Sequence, residues 1–578
     1  MMREIEQYLN YPVSIDRLMD NLHHICMWER LSGTEEELEA FCYMEKELQA
    51  AGAETKLIFH DAYISLPKSA KLYLNGQEYL CHTASMAKST PPQGVKGTLV
   101  YMEGDADEIT AERCKDRIVI LGGSAGFEKI YKAWKAGARG VIGCPGEHFH
   151  EKIISNAWGS PTPATRDLIP DVPYVSVLEK TRDELVKLAE NGIYEAHMIT
   201  EVDTGWRKIP LLFADVRAEQ ETDQYVMLSG HLDSWYYGAT DNGTANCIQI
   251  ELARIAAQHR KEMKRNIKIV IYSGHSHGRY AGSAWHADNY WNDLRRNCVL
   301  NMNCDIIGGK GATDLTRSII MPEVRGVAAD FIKAYTGCEF KGGRCGRNGD
   351  QSYYINGVSS AFSSFSKQPR PENPENQLLQ TRSGAYDFGW WWHTTDDLAD
   401  KVEPEFFLRD AKIYISIAMY FAGSSVIPLD FRETARELSS LVSYWTQRAQ
   451  GRYDLSEPQQ LADRLAEQMD CLYKGQPEDA EAFNRLLLAL GRILVPLNYT
   501  TGNIYENDSG IPLPPMPSLM LINELIQTPV GSSDAYDITT ALNHKRNFVL
   551  DSFERAIALT EEYLEGLPRE VWDGTKNI

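Results

Sequence analysis

Apolar residues recur at three- and four-residue steps from residue 13 to residue 53, through SIDRLMDNLHHICMWERLSGTEEELEAFCYMEKELQAAGA, and that spacing predicts helix. Thr34 stands where a cap belongs, with acids in the first turn after it, and Gly52 marks a stop. From about residue 65 to 200 the pattern changes to short apolar runs such as GTLVYM and RIVILGG, around one clear helix, FEKIYKAWKAGA. From about 205 to 425, runs of strand character (YVMLSGH, IKIVIYSG, CVLNMNCD) alternate with helical stretches such as TANCIQIELARIAAQHRKEM. Such alternation predicts an α/β fold, a doubly wound and mostly parallel sheet covered by helices. Beyond Pro428 the pattern is almost entirely helical, interrupted by a proline-rich loop, SGIPLPPMPS. There is no internal repeat and no low-complexity segment.

Size and composition narrow the function classes. A chain of 578 residues with 43% hydrophobic content can bury more than one core. Its net charge of −21 repels nucleic acid and anionic membranes, so neither is an expected partner. No apolar run approaches the roughly 18 residues needed to span a bilayer. The opening MMREIEQYLNYPVS lacks an apolar stretch, so no export signal is expected. Eleven scattered cysteines, without CxxC spacing, read as reduced core thiols. A cytoplasmic location is the expectation.

Candidate chemistry gathers at strand ends. In YVMLSGHLDSWYYGATDNGTANCIQIELARI an apolar strand runs out at Gly230, followed by His231 and Asp233. Side chains two apart on extended backbone share a face, so Asp233 is expected to orient the His231 imidazole. Asp241 precedes Asn242-Gly243 and a helix, at the same sheet edge. VLNMNCDIIGG is another apolar strand ending in an acid, Asp305, and GWWWHTTDDLADKV offers His393 followed by Asp397 and Asp400. Ligands of open α/β sheets bind outside the carboxyl ends of the strands, and imidazole with carboxylate suits a divalent transition metal such as zinc.

SGHLDSWYYGATDNGTA, NCD and HTTDDLADKV resemble the motifs of the zinc exopeptidases that include aminopeptidases, plasma-type carboxypeptidases and glutamate carboxypeptidase. The resemblance implies a peptidase-like α/β domain over 205–427 with an N-terminal helical part over 1–60. It implies a β-rich protease-associated domain inserted over 61–204, where KGTLVYMEG and GFEKIYKAWKAGARGVIG carry the likeness. It also implies a helical, dimerisation-like domain over 428–578, hence a homodimer. Carried over by position, His231 and Asp305 would hold one metal, His393 the other, and Asp241 would bridge them.

Members of that family carry two adjacent glutamates after the strand occupied here by IKIVIYSG, one the base for a metal-bound water and its neighbour a ligand. This chain has GHSHGRYAGS instead. In one register the pair becomes His275-Ser276; in another it becomes Ser276-His277. A neutral imidazole can act as base near neutral pH and can also bind zinc. We therefore expect His275 as base or substrate contact and His277 as substitute ligand, with one or two ions held. The implied activity is hydrolysis of an amide bond in a small peptide or acylated amino acid by a metal-bound water. The alternatives are an inactive scaffold, as the transferrin receptor is in that superfamily, and metal-dependent non-peptide C–N chemistry.

Other residues are weighed against blander readings. GGSAG around Ser124 matches a serine-hydrolase elbow, but the protease-associated resemblance explains it as a turn. Trp392, among Trp390–Trp392, is a candidate substrate wall. Asp350 and Asn348 resemble residues lining the family's substrate cleft, and Arg279 is a candidate for a substrate carboxylate. Cys304 reads as a packed thiol.

Overall fold

In the computed structural model the described residues are 5–103, 108–122, 126–347, 349–370, 385–475 and 477–566; Ser124 and Asn348 lie outside them. The stretch expected as helix over 13–53 is two helices, Ile15–Ile25 and Glu35–Ala50, each with a hydroxyl cap: Ser14 accepts from the Arg17 N–H and Thr34 from the Glu37 N–H. Glu37 reaches back to the Gly33 N–H at 2.7 Å. Gly33, at φ 76°, makes the turn between the helices, where a β-carbon would be strained. That break matters for the site, because it aims Arg30 and Ser32 at the end of a distant strand.

The sheet is ordered by two long strands. β1 (Glu54–Leu74) and β7 (Glu195–Val216) pair antiparallel from Glu54↔Asp215 to Leu74↔Ala196. The intervening strands, β2 (Gln77–Tyr79), β3 (Val95–Met102), β4 (Arg117–Leu121), β5 (Gly140–Gly143) and β6 (Tyr174–Ser176), include the parallel set β3–β6, which joins β7 through β3. At the other end of β7 run the parallel strands β8 (Tyr225–His231), β9 (Asn266–Tyr272), β10 (Cys298–Asn303) and β11 (Ser360–Ala361), in the order β11-β10-β8-β9. The expected run of short strands over 65–200 is thus framed by strands of 21 and 22 residues, and the boundaries expected near 60 and 204 fall inside them. A second helix in that region, Glu179–Asn191, was not anticipated. Its one fully buried apolar residue, Leu185, gives a weak periodic signal.

Continuous apolar strands are explained by cover on both faces. In β8, Val226 and Leu228 enter the core formed with helices Thr244–Gln258 and Pro404–Gly423, while Tyr225 and Met227 enter a second core with Ala287, Leu294 and Tyr353. β9 divides alike, Ile267, Ile269 and Ile271 to the first and Val270 and Tyr272 to the second. Each such side chain contributes roughly 1.5–3 kcal/mol on burial. This is the doubly wound, mostly parallel arrangement the sequence predicts.

The C-terminal region is helical, with helices Phe431–Arg448, Ser456–Leu472, Ala480–Tyr499 and Ser533–Leu564. Arg492 anchors it: its guanidinium donates to the carbonyls of Leu294, Arg295, Cys298 and Gly357. The proline-rich loop after residue 500 reaches further, the Gly510 N–H donating to the Asn156 carbonyl at 2.7 Å. Among the described residues no helix is long and apolar enough to cross a membrane.

Candidate metal centre

The carboxyl ends of β8, β9 and β10 bring three segments together. His231 ends β8, and its Nδ1–H donates to the Asp233 carbonyl at 2.7 Å, which leaves Nε2 as the lone-pair nitrogen. That nitrogen lies 3.2 Å from Asp241 Oδ1 and 3.5 Å from Asp305 Oδ1. His393 is arranged the same way, Nδ1–H donating to the Glu151 carbonyl at 2.8 Å and Nε2 lying 3.0 Å from Asp241 Oδ2. Asp241 therefore stands between the two imidazoles, one oxygen toward each. His393 has a left-handed backbone, φ 60°, held by the reciprocal Glu151 N–H to His393 carbonyl bond at 2.9 Å.

Local sequence explains these placements. Asn242 donates to the Cys304 and His231 carbonyls and accepts from the Ile306 N–H, tying the ends of β8 and β10 together. Asp397 accepts from the Thr240 N–H and hydroxyl and from the Asp241 N–H, fixing the turn that carries Asp241. Arg30, fully buried, donates to the carbonyls of Leu232, Tyr237 and Gly238 and so braces the loop between His231 and Asp241. Trp392 stacks on His393, ring centroids 3.6 Å apart, and its indole N–H donates to Asp241 Oδ2 at 2.8 Å. It thereby braces the His393–Asp241 pair.

The unusual turn departs from expectation in two ways. The Asp233 carboxylate does not hold His231: its Oδ1 is 3.8 Å from Nδ1, and the backbone carbonyl does that work. The carboxylate instead accepts from the His275 and Ser276 N–H groups and the Ser32 hydroxyl, so it shapes the turn. It is His275, not His277, that lies with the strand-end donors. His275 lies flat against His231, its Nδ1–H donates to Asp350 Oδ2 at 3.0 Å, and the ligand atoms of His231, His275 and Asp305 all lie within 4.8 Å of one another. His277 is outside that group. It is fully buried against Trp235 at 4.2 Å, with Nδ1 3.0 Å from Ser32 Oγ. Both turn amides bend onto the Asp233 carboxylate, so the alternation of an extended strand does not govern residues 275 and 277.

Asp350 is buried and its Oδ2 accepts from the His275 Nδ1–H. Arg279 is buried, its guanidinium donating to the Gly510 carbonyl and covering the Phe127 ring at 4.1 Å. Glu151, Ser32 and Arg30 were missed by sequence reasoning. They sit far from the motifs, and Glu151 acts on His393 through its main chain, which no side-chain pattern reveals.

The donor set fits a divalent cation. His231 Nε2 and Asp305 Oδ1 are buried without a hydrogen-bond partner. Imidazole lone pairs facing carboxylates at 3.0–3.5 Å repel unless a positive charge lies between them. Burial alone would lower the His231 pKa, yet Asp241 and Asp305 hold it well above the usual range, and burial pushes Asp305 up. Desolvation works against the Asp241 carboxylate too, but His231 and His393 hold it well below its usual value. All of this describes a pocket that demands positive charge.

Residues 212–418 match the profile of Peptidase family M28. A probable glutamate carboxypeptidase of Zea mays is 29% identical over 140 residues, 22% of this chain and 20% of that protein. A glutamate carboxypeptidase 2 homolog of Caenorhabditis briggsae is 21% identical over 268 residues, 34% of this chain and 35% of that protein. The matches thus span about a fifth to a third of these relatives' lengths. Among solved structures, an aminopeptidase from Aneurinibacillus sp. aligns with TM-score 0.55 and 18% identity over 72% of this chain and 96% of its own. A zinc aminopeptidase from Bacillus subtilis aligns with TM-score 0.54, 18% identity and the same coverage. Residues 212–418 thus resemble Peptidase family M28, and the fold is similar to that of the aminopeptidase from Aneurinibacillus sp. and the zinc aminopeptidase from Bacillus subtilis.

Proposed function

We propose that the chain is a metal-dependent hydrolase acting on an amide bond of a small peptide or an acylated amino acid, with a histidine-containing turn in place of the usual carboxylate pair. One observation carries this reading: ligand atoms from His231, His275 and Asp305 lie within 4.8 Å of one another at the ends of adjacent strands. With Asp241 Oδ1 beside them, these four residues would hold one divalent ion, most readily zinc. Among the described residues His393 and Asp241 Oδ2 are the donors at the second position, so we propose one tightly held ion and a weaker second. A divalent ion there supplies a Lewis acid able to polarise an amide carbonyl and acidify water.

The chain's own residues do the rest. Asp350 and Asp233 hold the His275 ring and backbone, and Asp397 and Arg30 hold the Asp241 turn, so the donors are organised before substrate arrives. The loop at Gly510, bonded to Asn156 and Arg279, spans from the helical region to the strand-end side and supports a restriction to small substrates. The test is an unbiased panel of dipeptides and N-acyl amino acids with zinc-loaded protein. We expect hydrolysis of at least one member, abolished by chelation and restored by zinc, with about one tight ion per chain by elemental analysis. Absence of turnover across the panel, with metal bound, would sink the reading.

A further inference from the structure

A column of stacked side chains ends on the donor set. The Arg347 guanidinium lies 3.8 Å from the Trp158 ring, Trp158 lies 4.3 Å from Tyr280, Tyr280 lies 4.8 Å from His275, and His275 lies 3.7 Å from His231. Trp158 comes from the segment between β5 and β6, and Arg347 donates to the Asp508 and Ser509 carbonyls of the C-terminal loop. We infer that Trp158 and Tyr280 are positioning residues that aim the His275 imidazole into the donor set, so that the metal centre depends on chain far from the strand ends that carry it.

His275 stands in a turn, so its ring direction comes from what surrounds it. The stack on His231 and the Nδ1–H bond to Asp350 hold two sides of the imidazole, and the Tyr280 ring meets it edge-on, at 75°. Arg279 and Tyr280 are consecutive non-glycine residues with left-handed backbone, φ 51° and 70°, a state that lasts only where packing imposes it. Trp158 imposes it. Its ring joins Tyr280 and Ala284 in a small core of their own, and the N–H of the next residue, Gly159, donates to the Arg279 carbonyl at 2.6 Å. Glycine permits that approach, since a β-carbon at 159 would stand 2.7 Å from Ala284 Cβ.

The same indole reaches His275 by a second route. Its Nε1–H donates to Ser352 Oγ at 2.8 Å, and Ser352 shares a 2.8 Å bond with the Ser283 hydroxyl. Ser352 closely follows Asp350, whose Oδ2 accepts from His275. Trp158 thus sets both the ring beside the imidazole and the segment that carries its acceptor. Groups that orient a ligand without touching the ion change affinity about 10–100-fold when removed. The inference rests on His275 as a ligand within the hydrolase reading, and it is read from metal binding, without turnover.

The experiment is zinc competition against a chromophoric chelator on the full chain, with the visible spectrum of the cobalt-loaded protein as the signature of the ligand set. Tyr280→Leu and Trp158→Leu should each weaken zinc binding about tenfold and shift the cobalt band in the direction that His275→Ala shifts it. Tyr280→Phe, which keeps the ring, should stay within about threefold of the parent chain. In a His275→Ala background the two leucine substitutions should cost less than about twofold, because the residue they act through is gone. Should Trp158→Leu not fold, Trp158→Phe keeps the bulk and removes the bond to Ser352; it should cost about threefold in the parent chain and nothing in His275→Ala. Unchanged affinity and spectrum in these variants, or a loss as large without His275 as with it, overturns the inference. Zinc binding that depends on the column, with no amide turned over, retains the inference and rejects the hydrolase reading; turnover with zinc binding indifferent to Trp158 and Tyr280 does the reverse.

Discussion

The imidazoles of His275 and His231 lie face to face, ring centroids 3.7 Å apart and planes 12° from parallel. The stack sets the His275 ring against the imidazole whose Nε2 faces Asp241 and Asp305. It places His275, and not His277, with the ligand atoms of His231 and Asp305.

Removal of each histidine in turn tests this directly. His275→Ala should weaken zinc binding by about 10–100-fold or more, measured by competition with a chromophoric chelator. His277→Ala should leave zinc affinity within about threefold, because its ring faces Ser32 and Trp235. The opposite ranking would return His277 to the ligand position.

Arg30 gives a prediction about architecture. Replacing it with Met keeps apolar bulk but leaves the carbonyls of Leu232, Tyr237 and Gly238 without their buried donor. The cost should be on the order of 3–5 kcal/mol in urea unfolding, with weaker zinc binding in whatever protein remains folded. A loss below about 1 kcal/mol would show that the β8 loop holds its own shape.

Acid should destabilise the fold through histidines buried in neutral form. Burial lowers the pKa of His60 to about 4 and of His286 to about 3 from the ordinary 6.5. Because the folded values are depressed, their contribution is fully present above pH 6.5 and is lost as pH falls toward 4. By pH 5, His60 alone should account for about 2 kcal/mol. His60→Phe keeps the stack on Trp285, whose ring lies 4.6 Å away, and removes the titration. The drop in Tm from pH 7 to pH 5 should therefore shrink in the variant; an undiminished drop would show that His60 is protonated at no cost.

Hydrophobic order along the chain was enough to determine a doubly wound sheet, since Val226, Ile269 and their neighbours have nowhere to go but a core on each face. It also located His231, Asp241, Asp305 and His393 at element ends, where backbone direction alone brings them to one edge. Tertiary structure decided what local pattern does not encode: that β1 and β7 run unbroken through the expected boundaries, that Arg30 and Ser32 turn inward at a helix break, and that Asp233 serves the turn instead of its neighbour. It also decided which of two histidines, two residues apart, meets the donors. Alternation says that such residues share a face only on extended backbone; once two amides bend onto one carboxylate the rule lapses, and the surrounding packing settles the direction.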